Sequence, residues 1–224
     1  HPTTGAIPVV WGDYTGPDRQ FRKPANDWVI LALEDCLGYR HGYLQPYDAA
    51  LNDELADRGG FTAFGYSAGR QMVDSNCSIR LGSGSGPGAT MLNDCAALPG
   101  DSGAPIVRRG TSRVVAMISG FHSGSSMSCN SFKGVVHEPW NSQCTNAAVT
   151  LSVALIDRIN VASCAVRAQN LLLRLGHDAG PYGVLDHPLL AKAIKKVELE
   201  IGMVQSGALC GTVGAVLRMR NMEI

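Results

Sequence analysis

Apolar residues come in short runs over the first two thirds of the chain. Trp28-Val29-Ile30-Leu31-Ala32-Leu33 follows Asp27 directly, and Phe61-Thr62-Ala63-Phe64 follows Gly60. Met91-Leu92, Ala104-Pro105-Ile106-Val107 and Val114-Val115-Ala116-Met117-Ile118 come after them. Gly, Ser, Asp or Asn bounds the runs, and these residues favour turns. Short strands at this spacing predict an all-β sandwich or barrel over residues 1 to about 158. The Gly/Ser stretch from Gly82 to Gly88 reads as a hairpin loop. It lacks the Lys-Ser/Thr ending of a phosphate cradle, and no helical pattern follows it.

The period changes near residue 160. Val166, Leu171, Leu172 and Leu175 fall at helical spacing, as do Leu189, Leu190, Ala193, Ile194, Val197 and Ile201. Gly176 to Gly183 reads as a compact turn between two helices. A third short helix is expected over Leu209 to Met219, against the low propensity of its glycines. The pattern thus predicts a β module, a break at 159–165, and a small all-α module of three helices.

Composition narrows the function classes. The 224 residues are 45% hydrophobic, enough for a sizeable core, and only 17% are charged. Nineteen basic residues balance nineteen acidic ones, and no Lys/Arg run marks a local basic patch, so no nucleic acid partner is expected. No apolar stretch approaches the roughly 18 residues of a membrane span. The first residues, His1-Pro2-Thr3-Thr4, carry no charged-then-apolar leader and read as a processed product or a fragment. Seven cysteines are scattered without a CxxC pair or zinc-ligand spacing, so no metal or other cofactor is expected. They are either buried thiols or up to three disulfides with one cysteine over. The second alternative favours an exported protein, secreted or periplasmic.

Two serines compete as nucleophiles. Gly65-Tyr66-Ser67-Ala68-Gly69 fits the GxSxG elbow, which needs a strand before the serine and a helix after it. Phe61 to Phe64 supplies the strand. Arg70-Gln71-Met72-Val73 runs out at Asp74-Ser75-Asn76 and makes a poor helix. The other candidate is Ser102, in Leu98-Pro99-Gly100-Asp101-Ser102-Gly103-Ala104-Pro105. A tight glycine-flanked turn before a strand lets the N–H groups of Gly100 and Ser102 converge on one spot, as an oxyanion hole requires. Gly100 permits an unusual backbone conformation there, and Gly103 permits close approach of substrate.

With that turn, the stretch from Asp27 to Asp157 resembles the chymotrypsin-fold serine peptidases, in particular the bacterial trypsin-like and glutamyl-endopeptidase-like branches. Asn26-Asp27-Trp28-Val29-Ile30-Leu31 is similar to the strand bearing the family's catalytic aspartate. Ser119-Gly120-Phe121-His122-Ser123-Gly124 is similar to its substrate-lining strand. Thr145 to Val149 resembles the final strand, and Val153 to Asn160 the closing helix. The resemblance implies a double β-barrel whose first barrel is incomplete, with Ser102 as nucleophile and Asp27 orienting a histidine base. It implies a protein or peptide substrate and a Cys77–Cys95 bridge. In such enzymes the acid beside the nucleophile often pairs with a buried amino terminus; here that acid is Asp101. Ala96 stands where trypsins carry the aspartate that selects Arg and Lys. His122 stands where glutamyl endopeptidases carry a histidine that helps bind an acidic side chain, so cleavage after Glu is one expectation.

No catalytic histidine is assigned. The family's base precedes its aspartate on a packed strand, and no such segment stands before Asp27. The first half of the N-terminal barrel is therefore expected to be absent. A non-catalytic protein that uses the same fold as a binding scaffold is the rival reading. Residues 166–224 resemble a peptidoglycan-binding-like three-helix domain, carried by Val166 to Gly176 and His177-Asp178-Ala179-Gly180-Pro181. Tyr182 replaces that family's acidic residue, and no Phe-Gln pair closes the second helix. The resemblance implies peptidoglycan as a candidate ligand; the rival is a helical appendage without one.

Overall fold

The computed structural model describes residues 5–12, 26–33, 37–48, 60–67, 69–81, 91–98, 100–121, 146–207 and 210. The chain is mainly β, with a curled half-barrel sheet. It divides into two compact units, one of residues 11–28 and 37–156, the other of residues 1–10, 29–36 and 157–224.

The first unit holds an eight-stranded sheet. Its strands are β3 (Gln45–Pro46), β4 (Phe61–Ser67), β5 (Arg70–Cys77), β6 (Ile79–Leu81), β7 (Met91–Asn93), β8 (Pro105–Arg108), β9 (Arg113–Phe121) and β10 (Asn146–Thr150). The spatial order is β5-β4-β8-β9-β10-β7-β6, and β3 pairs in parallel with the start of β9. All other pairings in this sheet are antiparallel. Every apolar run that the sequence singles out between 61 and 149 lies in or directly before one of these strands. The inward positions gather Phe61, Ile79, Met91, Ile106, Val115 and Ile118 into one core. Cys77 and Cys95 are bonded to each other within it, as the family resemblance implies, with Cα atoms 4.7 Å apart. A short helix α1 (Leu37–His41) precedes β3.

The second unit contains a two-stranded ribbon and a helix pair. Strand β1 (Ala6–Trp11) pairs with β2 (Val29–Leu33). On β2, Val29, Leu31 and Leu33 are exposed while Ala32 is buried, so both faces of the strand are apolar. Helix α2 (Val153–Arg174) runs unbroken through 159–165, where the sequence places the change of period. The buried face there is carried by Ala162, Ala165 and Ala168. Alanines at this spacing pack a helix well but leave no stripe of large apolar residues to read. Ser152 caps the start of α2, its Oγ accepting the Leu155 N–H at 3.4 Å.

Both helices end in the same way. At α2 the Gly176 N–H reaches the Leu173 carbonyl and the His177 N–H the Leu172 carbonyl, with Gly176 at φ 78°. At α3 (Pro188–Glu200) Gly202 and Met203 repeat the pattern on Leu199 and Glu198, with Gly202 at φ 73°. Only glycine enters this left-handed conformation freely, which stops the helix while satisfying its last carbonyls. The turn between the helices is held by Gln169, whose Nε2 donates to the carbonyls of Pro181 (3.0 Å) and Val184 (3.2 Å). Its Oε1 accepts the Gly183 N–H at 2.9 Å. The expected third helix lies outside the described residues apart from Cys210, which is helical and bonded to Cys164. No described helix is long and apolar enough to cross a membrane.

The Glu198 carboxylate is fully buried and accepts from Ser206 Oγ (2.6 Å) and the Gly207 N–H (2.8 Å). Glu198→Ala removes a buried charged acceptor from both donors and leaves a cavity where its side chain packs, so it is expected to lower unfolding stability by about 2 kcal/mol. Urea denaturation of the variant against wild type measures this.

Candidate functional site

Ser102 lies in the second of two consecutive tight turns. The Ala104 N–H donates to the Asp101 carbonyl at 2.9 Å, which makes Ser102 and Gly103 the central pair of one turn. Gly103 has φ 87°, the left-handed value that a type II turn requires at its third residue. The Asp101 N–H donates to the Leu98 carbonyl at 3.0 Å and closes the turn before it, with Gly100 at φ 109°. At Gly100 the sequence and the geometry agree; at Gly103, read from the sequence as room for substrate, the structure shows a left-handed conformation that strains any other residue.

The turn is fastened to β9. The Gly103 N–H donates to the Ile118 carbonyl (2.7 Å), and the Ile118 N–H to the Ala104 carbonyl (2.9 Å). These bonds place Ser102 beside Ser119. Strand β9 has a bulge at this point, because Ala147 faces Gly120 and Ala148 faces Ile118, which leaves Ser119 without a partner on β10. Both polar groups of Ser119 are used elsewhere. Its carbonyl accepts Ser102 Oγ at 3.4 Å, and its own Oγ donates to Asp27 Oδ2 at 2.6 Å. Ser102 and Asp27, 75 positions apart in the chain, are therefore linked through one residue. Asp27 is half-buried, separated from the start of β2 by Trp28, and Ser102 is exposed.

The N–H groups of Gly100 and Ser102 have no hydrogen-bond acceptor among the described residues. The Asp101 side chain turns the other way. It is 2% exposed, and its Oδ2 accepts the Leu98 N–H at 2.8 Å. It lines a small recess with Ala63, Gly65, Met72, Asp74 and Ala96.

That recess explains the competing GxSxG motif. A Cβ at Gly65 would run into the Asp101 carboxylate, so glycine is needed for close packing. Gly69, at φ 76°, stands in the two-residue turn between β4 and β5, where Ser67 faces Arg70 in an antiparallel ladder. A strand, not a helix, follows Ser67. The elbow requires strand, turn and helix, and this part of the chain is a β-hairpin.

The remaining candidates divide as follows. Ala96 lies in the wall of the recess, and its N–H donates to Asp74 Oδ2 at 2.7 Å. His122 lies outside the described residues, as do His1 and His137. His177 pairs with Glu200 at 3.4 Å, and His187 Nδ1 accepts the Leu189 N–H at the start of α3. His41 is exposed on α1. Among the described residues no histidine is bonded to Ser102 or Asp27, and no group of three or more His, Cys, Asp or Glu could hold a metal. Ser119 and Asp74 are the residues whose site contacts sequence reading misses. A serine in a strand and an aspartate in a hairpin carry no local mark of the partners they meet. No family model and no curated protein matches the chain.

Proposed function

We propose that the chain is a serine-type endopeptidase with a chymotrypsin-like arrangement, in which Ser102 is the nucleophile and Asp27 the orienting acid. The observation that carries this reading is the line from Ser102 through Ser119 to Asp27, beside two N–H groups that no described acceptor uses. Ser102 Oγ attacks the scissile carbonyl carbon and gives its proton to a histidine base. The resulting oxyanion meets the N–H groups of Gly100 and Ser102. Collapse expels the amine, which takes the proton from the base, and leaves an acyl-enzyme that water hydrolyses by the reverse sequence. Asp27 holds the base in the required tautomer, and Ser119 in turn holds one oxygen of Asp27. Strand β2, apolar on both faces, supports reading the β1–β2 ribbon as a piece of a first barrel wall. For the helical residues we propose attachment to peptidoglycan, supported by the resemblance of 166–181 and by the Gln169-fastened turn between two helices.

A second reading has its own support. With no described histidine on Ser102 or Asp27, the same fold serves as a non-catalytic binding scaffold. A fluorophosphonate probe separates the two. The label is expected on Ser102 by peptide mapping, and is expected to vanish in Ser102→Ala. Absence of label from the folded protein would favour the scaffold, and label on Ser67 would contradict both readings.

A further inference from the structure

Residues 94–98 lead into the nucleophile turn without belonging to a strand, yet Cys95 and Ala97 are buried. A buried irregular segment must find partners for its N–H groups outside a sheet ladder. The Asp94 N–H donates to the Ser78 carbonyl at 3.3 Å, and side chains serve three of the residues that follow. The Cys95 N–H donates to Asn93 Oδ1 at 3.3 Å, the Ala96 N–H to Asp74 Oδ2 at 2.7 Å, and the Leu98 N–H to Asp101 Oδ2 at 2.8 Å. Asn93 and Asp101 are near neighbours in the chain. Asp74 alone of the three acts from a distant strand, 22 positions away.

Asp74 faces inward because β5 is irregular. Phe61 pairs with Cys77 and Ala63 with Asp74, so two steps along β4 match three along β5. In a regular strand residues three apart point to opposite faces. The bulge brings both inward, Cys77 to its bond with Cys95 and Asp74 to the next residue, Ala96. The other Asp74 oxygen, Oδ1, accepts the Asn76 N–H at 3.1 Å and so fastens the carboxylate to the bulge itself. An ionised acceptor makes a stronger bond than a neutral one. Displacement of Ala96 passes through Ala97 to Leu98, and the Leu98–Asp101 bonds set the turn that presents Gly100 and Ser102.

We propose that Asp74 is a positioning residue: by holding the Ala96 N–H, it sets where the N–H groups of Gly100 and Ser102 stand. This inference rests on the reading of Ser102 as nucleophile. Asp74→Asn keeps the size of the side chain but offers one oxygen to two N–H groups. Asp94→Asn is the matched control. Asp94 Oδ1 accepts the Ser78 N–H at 2.6 Å, a comparable bond on the far side of Cys95, where the disulfide fixes the chain before the turn begins.

The measurements are the second-order rate of fluorophosphonate labelling at Ser102, peptide hydrolysis, and Tm. D74N is expected to label at least about tenfold more slowly than D94N at similar Tm. The loss in hydrolysis should fall on kcat, with KM changed less than about twofold, because an oxyanion site acts in the transition state. Equal labelling of D74N and D94N, or a loss confined to KM, overturns the inference and leaves the nucleophile reading intact. Failure of wild type to label overturns both. Should D74N not fold, D74E is compared with D94E by the same criteria, since the added methylene displaces the acceptor from the Ala96 N–H.

Discussion

Hydrolysis of a peptide substrate is expected to disappear in Ser102→Ala and to fall by on the order of 10⁴ in Asp27→Asn. In the proposed mechanism the first change removes the atom that forms the acyl-enzyme. The second keeps shape and hydrogen-bonding capacity at Asp27 but removes the charge proposed to steady an imidazolium and select its tautomer. Ser119→Ala tests the link between them. It deletes the 2.6 Å bond to Asp27 Oδ2 while leaving the Ser119 carbonyl beside Ser102. A loss of about tenfold is expected there, the size of one hydrogen bond to a charged group. Steady-state kinetics on the three variants, with circular dichroism to confirm folding, checks the order. Equal activity of Asp27→Asn and wild type would remove Asp27 from the mechanism.

Replacing both Cys77 and Cys95 with alanine is expected to cost about 3 kcal/mol of unfolding stability, the entropic value for a closed loop of this length. The two cysteines are 18 positions apart, and the segment between them contains β6 and β7. Both are fully buried, so alanine avoids placing a polar group in the core. Guanidinium titrations of the variant and wild type measure the difference, and an unchanged midpoint would show that the β-core holds this loop without the bridge.

Strand content was legible because the sheet obeys local rules. Runs such as Val114–Ile118 are short, rich in β-branched and other apolar residues, and bounded by turn formers. The end of α2 was legible through Gly176, since the left-handed stop leaves few other choices. The continuity of α2 through 159–165 was not legible, because buried alanines there give the helix a face too small to register as apolar. The GxSxG motif misleads for a different reason. Gly65 is required by the Asp101 side chain and Gly69 by a hairpin, so two unrelated constraints produce one familiar spacing.

The candidate site follows the same division. Sequence alone marked Gly100 as a place for an unusual backbone conformation, because torsional sterics act within a few residues. It also marked Ser102 as a residue on a turn before a strand, and the family resemblance marked Asp27 and the Cys77–Cys95 pair. Only the tertiary structure decided that Ser119 joins Ser102 to Asp27, through a bulge that frees its hydroxyl and carbonyl from β10. It alone directed Asp74 to the Ala96 N–H, by an irregularity in β5 that reverses the facing of one side chain. Strand register and bulges depend on pairing partners far away in the chain, so contacts across 92 and 22 positions leave no local pattern to read.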